Sequence, residues 1–106
     1  MAEKTFVIRV SPVDRIQHRR TIERGHVLDF MVQYEILLDE KWIPVVRYDT
    51  AHGFAHRDWM SPRGESRKER LYLQDFTQGY TFAANDLRDN WERYRERFEM
   101  EPRRQK

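Results

Sequence analysis

Between Leu28 and Leu38 every even position is apolar (Leu28, Phe30, Val32, Tyr34, Ile36, Leu38), while Asp29, Gln33 and Glu35 occupy odd ones. A period of two puts successive side chains on opposite faces, so the segment predicts a strand with one buried face. Asp39, Glu40 and Lys41 interrupt the pattern, and Trp42, Pro44, Val46 and Tyr48 resume it. If Leu38 faces Trp42 across a three-residue loop, then Tyr34 faces Val46, Val32 faces Tyr48, and all even residues share a side. A two-residue loop would break that parity. Pro44 has no amide hydrogen, so its ladder position must face outward or sit at a bulge.

A second reversal is expected at Thr50, Ala51, His52 and Gly53, where glycine can take the positive φ that a tight turn often needs. Pairing Asp49 with Phe54 sets Arg47 opposite His56 and Val45 opposite Asp58. Tyr48, Ala55 and Trp59 then join the apolar face, and Asp29, Gln33, Arg47, Asp49, His56 and Asp58 form a polar patch on the other. One bulge near Gly53 would reverse the placement of His56 and Asp58. Thr5 to Val10 reads as a further strand and Leu71 to Leu73 as a short one. Farther on, Tyr80, Ala84, Leu87, Trp91, Tyr94 and Phe98 recur at spacings of three and four, the stripe of an amphipathic helix. Asp75, Thr77 and Thr81 are its candidate N-caps, and Pro102 stops it before Arg103, Arg104 and Lys106.

These elements predict an α+β domain: an antiparallel β-meander of four to five strands covered on one face by a long C-terminal α-helix. A chain of 106 residues is one domain, 1–106, with 101–106 as a flexible tail. Tyr34, Val46, Trp59 and Trp91 should share its core. Two connections remain, Asp14 to His26 and Ser61 to Arg70, and both are rich in arginine.

Composition then limits the chemistry. The absence of cysteine excludes disulfides, zinc ribbons and a thiol nucleophile, and suits a reducing cytosol, so a cytoplasmic protein is expected. No stretch approaches the roughly 18–20 apolar residues of a membrane span. Twenty basic residues against 18 acidic leave a net charge of only +2, so global charge does not argue for nucleic acid. The identity of the cations is more telling, because 16 of the 20 are arginine, which grips phosphates and carboxylates bidentately. Arg15, Arg19, Arg20 and Arg24 in the first connection, and Arg57, Arg63, Arg67 and Lys68 around the second, are the candidate nucleic-acid contacts.

Val45 to Trp59 concentrates the remaining chemistry: Arg47, Asp49, His52, His56, Arg57 and Asp58 surround one glycine. Two imidazoles beside carboxylates and an arginine could divide base and acid work on a 2′-hydroxyl and a departing 5′-oxygen, with Arg47 or Arg57 neutralising the phosphorane. Asp49 and Asp58 would orient an imidazole tautomer. The same residues also suit an ordinary hydrogen-bonded hairpin. A metal centre of His52, His56 and one carboxylate is a further reading; the glycine turn argues against the helical spacing that would align the two imidazoles, and no metal or other cofactor is expected.

The string RYDTAHGFAHRD, residues 47–58, is similar to the core of a family of small uncharacterised prokaryotic proteins. Less closely, over Val32 to Asp58, it resembles TumE-like toxin components of bacterial toxin–antitoxin pairs, which place an RYD segment and histidines after a β-hairpin. Their histidine cluster is denser; here Arg47, Tyr48, Asp49, His52 and His56 carry the likeness. It implies a small toxin-type protein acting on RNA with a small antitoxin protein as partner; joined to the residue reading, which adds Asp58, the expectation is a metal-independent acid/base ribonuclease using Arg47, Asp49, His52, His56 and Asp58. The alternative from another class is a non-catalytic protein-interaction module, homodimeric or bound to another protein through its arginine-rich segments.

Overall fold

A computed structural model describes residues 1–73 and 75–101. Six strands precede one helix: β1 (Ala2–Ser11), β2 (Asp14–Glu23), β3 (His26–Leu38), β4 (Lys41–Asp49), β5 (His56–Met60), β6 (Ser66–Arg70) and α1 (Phe76–Met100). The strands form one sheet in chain order, each antiparallel to the next. The α+β meander with its C-terminal helix is therefore present, with six strands where four to five were expected.

Two of them, β2 and β6, lie where arginine-rich connections were expected. In β2 the inward positions are Asp14, Ile16 and His18, all buried, so its core face carries an acid and an imidazole and the alternation is hidden. Those polar groups are satisfied by tertiary partners. Asp14 accepts from Ser11 Oγ at 2.6 Å, Tyr34 OH at 2.5 Å and Arg95 Nη1 at 2.9 Å. His18 Nδ1 lies 2.9 Å from Tyr80 OH. Such pairing offsets the cost of burying polar atoms. The other added strand, β6, has no apolar residue at all and is exposed throughout; its ladder with β5 defines it. Leu71 to Leu73, read as a strand, is irregular, although Leu71 still donates to the Ala55 carbonyl at 2.9 Å.

The β3–β4 hairpin keeps the expected pairs by an unexpected route. Leu38 pairs with Lys41, not Trp42, across a two-residue turn in which Asp39 and Glu40 take φ of 50° and 65°. Positive φ at both central positions gives the turn whose twist matches that of the flanking strands. The register then shifts between Tyr34 and Glu35, leaving Val45 as the extra residue, so that Tyr34 still meets Val46 and Val32 still meets Tyr48. The bulge repairs the parity that the short turn breaks. Its consequence falls on Trp42, which pairs with Leu37 and leaves the apolar face, while Ile43 takes its place against the core.

The next hairpin is longer than expected. Asp49 pairs with His56 and Arg47 with Asp58, a displacement of two residues from the predicted register. An even displacement conserves the faces, so His56 and Asp58 remain with Arg47 and Asp49.

The helix covers the other face, chiefly over β3. Asp75 is its N-cap, its side chain accepting from the Gln78 amide at 2.7 Å. Gly79, Tyr80, Ala83, Leu87, Tyr94 and Phe98 form its buried side, so Ala83 takes the place expected for Ala84. Tyr34 and Val46 are fully buried, whereas Trp59 and Trp91 only pack against the margin of the core. The expected stop at Pro102 and the basic tail lie outside the described residues.

Candidate functional site

The face of the sheet away from the helix carries two transverse rows of side chains. Pairing aligns Arg19, Met31, Asp49, His56 and Arg70 across β2 to β6, and Gln17, Gln33, Arg47, Asp58 and Lys68 beside them. Four of the five expected catalytic residues, Arg47, Asp49, His56 and Asp58, thus share one surface. The fifth, His52, stands on the exposed β4–β5 loop with its ring 5.7 Å from that of His56.

His56 is at the floor of this group. Its imidazole is only 1% exposed, with Nε2 2.7 Å from Asp49 Oδ1 and Nδ1 3.7 Å from Asp58 Oδ1. The expected polar patch is therefore largely buried rather than wet, and Asp49 and Asp58 are buried with it. Close as they are, neither contact is aligned as a directed hydrogen bond: among the described residues His56 Nε2 and Asp58 Oδ1 have no hydrogen-bond partner. Lys68 closes the cluster, its ammonium 3.1 Å from Asp58 Oδ1 and 3.5 Å from His56 Nδ1. Phe54 packs edge-on against His56, and the Arg70 guanidinium lies 4.6 Å above the Phe54 ring. The six-residue reversal between Asp49 and His56 is what brings Phe54 and His52 back over the sheet.

A second chain of contacts runs along the face. Arg47 Nε donates to Gln33 Oε1 at 2.6 Å, Gln33 donates to Glu35, and Glu35 accepts from Arg15 Nε at 2.5 Å. Trp42, displaced to this side by the bulge, lies beneath Arg15 and Arg9, whose guanidinium carbons are 4.2 and 5.2 Å from its ring. Arg19 is exposed at the border of an open depression of about 380 Å³, which Asp49 and Thr50 also line.

Asp49, His56 and Asp58 offer three ligand atoms within 4.8 Å of one another, enough to contact a single cation. This is one imidazole and two carboxylates, not the two-histidine set the sequence suggests. The Lys68 ammonium already supplies positive charge at Asp58 and at the Nδ1 edge of His56, so a metal there would have to displace it.

The expected nucleic-acid contacts divide between the two faces. Arg15, Arg19 and Lys68 join the polar face, although on strands and not in connections. Arg20 turns toward the helix, over the rings of Phe6 and Tyr80. Arg67 lies over Trp59 on that side as well. Arg24 is in the β2–β3 turn at φ 52°, and Arg63 follows β5 with its Nε 3.0 Å from Glu65. Arg57 lies under the helix, where it donates to Tyr48 OH at 2.9 Å, Tyr94 OH at 3.2 Å and Glu69 at 2.5 Å. Burial works against its charge, but the Glu69 bond and the two tyrosines outweigh burial and hold its pKa above the ordinary value. The same contact lowers Glu69. Burial, then the hydrogen bond to Asp86, raises both Tyr48 and Tyr94. These three partners hold Arg57 between the sheet and the helix.

Arg70 is the site residue that sequence reasoning passes over. It lies in the second arginine-rich stretch, but only the β5–β6 ladder places it beside His56. Residues 1–104 match a family described as a domain of unknown function, DUF7718. The chain belongs to this family. No curated protein and no solved structure matches this DUF7718 chain.

Proposed function

We propose that this DUF7718 protein acts on RNA across the polar face of its sheet, as a small prokaryotic toxin-type ribonuclease. One observation carries the reading: a buried Asp49–His56 pair, 2.7 Å apart, lies beneath an exposed imidazole, His52, and among cations of the same face, Arg19, Arg47 and Arg70. Arg47 spends Nε on Gln33, its one hydrogen-bond partner among the described residues. Its remaining donors are suited to a phosphate, and Arg19 extends the same track. His52 is the exposed imidazole of the group, with access to a ribose hydroxyl as general base or acid. His56 is enclosed, so it is a positioning residue, its Nε2 2.7 Å from Asp49 and its ring 5.7 Å from that of His52. No metal enters this scheme, and a small antitoxin protein covering the face would be the natural inhibitor.

The test is cleavage of a mixed RNA substrate by purified protein, run beside a growth assay. His52→Ala removes an exposed side chain, so it should leave melting unchanged and reduce cleavage by about two to four orders of magnitude. Arg19→Ala and Arg47→Ala should each weaken RNA binding and lower the slope of log affinity against log salt by about one. If the wild type neither binds nor cuts RNA at low salt and does not affect growth, the reading fails.

A further inference from the structure

The two edges of the sheet are built differently. β6 is short and exposes Arg67, Lys68, Glu69 and Arg70, a charged border of the kind that discourages another strand from adding to it. β1 is a 10-residue edge whose centre, Thr5 to Ile8, carries no charge, and Val7 and Ile8 are 49% and 48% exposed. Pro12 and the bulge between Arg9 and Ser11 lie at its far end and leave Ala2 to Arg9 regular. Such an edge is a template for a further strand.

We infer that the occupant is a second copy of this chain, its β1 antiparallel to the first about a two-fold axis through Phe6. Antiparallel pairing about such an axis, perpendicular to the sheet, keeps the same face of both copies on one side, so paired residues must share parity. Their numbers therefore sum to an even value. A sum of 6, 8 or 18 sets Glu3, Lys4 or Arg9 against itself. Sums of 10, 14 and 16 leave every charge of the strand opposite an uncharged residue. A sum of 12 places Glu3 opposite Arg9 of the partner, twice by symmetry, with Thr5 against Val7, Lys4 against Ile8 and Phe6 against Phe6. Opposite charges directly across a ladder stabilise it and like charges oppose it, so this register is selected by charge as well as by shape. The aliphatic stem of Lys4 then covers the Ile8 side chain that the monomer leaves in water. The product is a continuous sheet of two six-stranded halves. Both helices lie on one side of it, and on the other the Arg9–Arg15 pair of each copy continues across the seam into Glu3 of the other. The dimer stands on the edge alone and does not depend on the RNA reading, but it would join the two polar faces into one track.

Sedimentation equilibrium from 5 to 200 µM, without RNA, tests this. The wild type should reach twice the 13.1 kDa chain mass. Ile8→Lys, Glu3→Arg and Arg9→Glu should each weaken association by about ten-fold or more, since each places a charge or a repulsion at two symmetric sites. The double variant Glu3→Arg/Arg9→Glu restores opposite charges and should recover association to within about three-fold of wild type. All three positions are exposed, and unchanged circular dichroism will show that the variants fold. A monomer throughout the range, or a double variant no better than the singles, overturns the proposal. Loss of RNA binding with the dimer intact would count against the RNA reading alone.

Discussion

His18 illustrates how one tertiary contact sets the behaviour of a side chain. Its ring stacks on Phe6 with centroids 4.4 Å apart, meets Tyr80 OH at Nδ1, and lies near the Arg20 guanidinium. Burial, and then the charge of Arg20, lower its pKa from 6.5 to about 4. The unfolded chain therefore binds this proton more readily than the folded one. Stability from this group is fully present above pH 6.5 and declines as pH falls toward about 4. Chemical denaturation between pH 7 and pH 4 should show this loss, and His18→Gln, which retains an acceptor for Tyr80, should flatten it. An equally steep decline in the variant would assign the acid sensitivity elsewhere. His56 contrasts with it: it is enclosed between Asp49 and Asp58, and replacing it with alanine would open a void beside two buried carboxylates. Glutamine is the gentler probe there.

The hairpins show how elements compensate one another. Asp39 and Glu40 occupy the left-handed region, which costs a residue with a Cβ about 1 kcal/mol. The Val45 bulge then restores the pairs that the short turn would misalign, at the expense of turning Trp42 outward. Glu40→Gly should therefore raise stability, by roughly 0.5–1 kcal/mol, with the fold unchanged. A lower melting temperature would show that the side chain contributes more than its backbone strain costs. Trp42 itself is legible as a large apolar residue, but only the bulge assigns it to Arg9 and Arg15 instead of to the core.

For the whole molecule, stability should rest on the core between the sheet and α1. Leu87 is fully buried there, and Leu87→Ala should cost about 2–5 kcal/mol. Trp91, at the margin, should cost less despite its size. A chelator should leave the melting curve in place, because Lys68 already balances Asp58 and a metal that supported folding would be linked to it strongly. A fall of several degrees would give the Asp49–His56–Asp58 group a cation in place of the ammonium.

Local pattern alone specified β3, β4, the return to Trp59 and the helix, with Asp75 one of three candidate caps, because each pairs an alternating or three-to-four apolar repeat with turn or cap chemistry inside one short segment. It also placed Arg47, Asp49, His56 and Asp58 on one face, since parity survives a register displaced by two. Tertiary structure decided the rest. β2 reads as an arginine-rich connection until Tyr34, Tyr80 and Arg95 satisfy its inward Asp14 and His18, and β6 has no signal beyond its partner strand. The burial of His56, the arrival of Lys68 and Arg70 beside it, and the division of the arginines between two faces depend on long-range pairing. A residue's own neighbours along the chain carry no information about which distant group will neutralise it, and for buried polar side chains that distant group is what makes the position tenable.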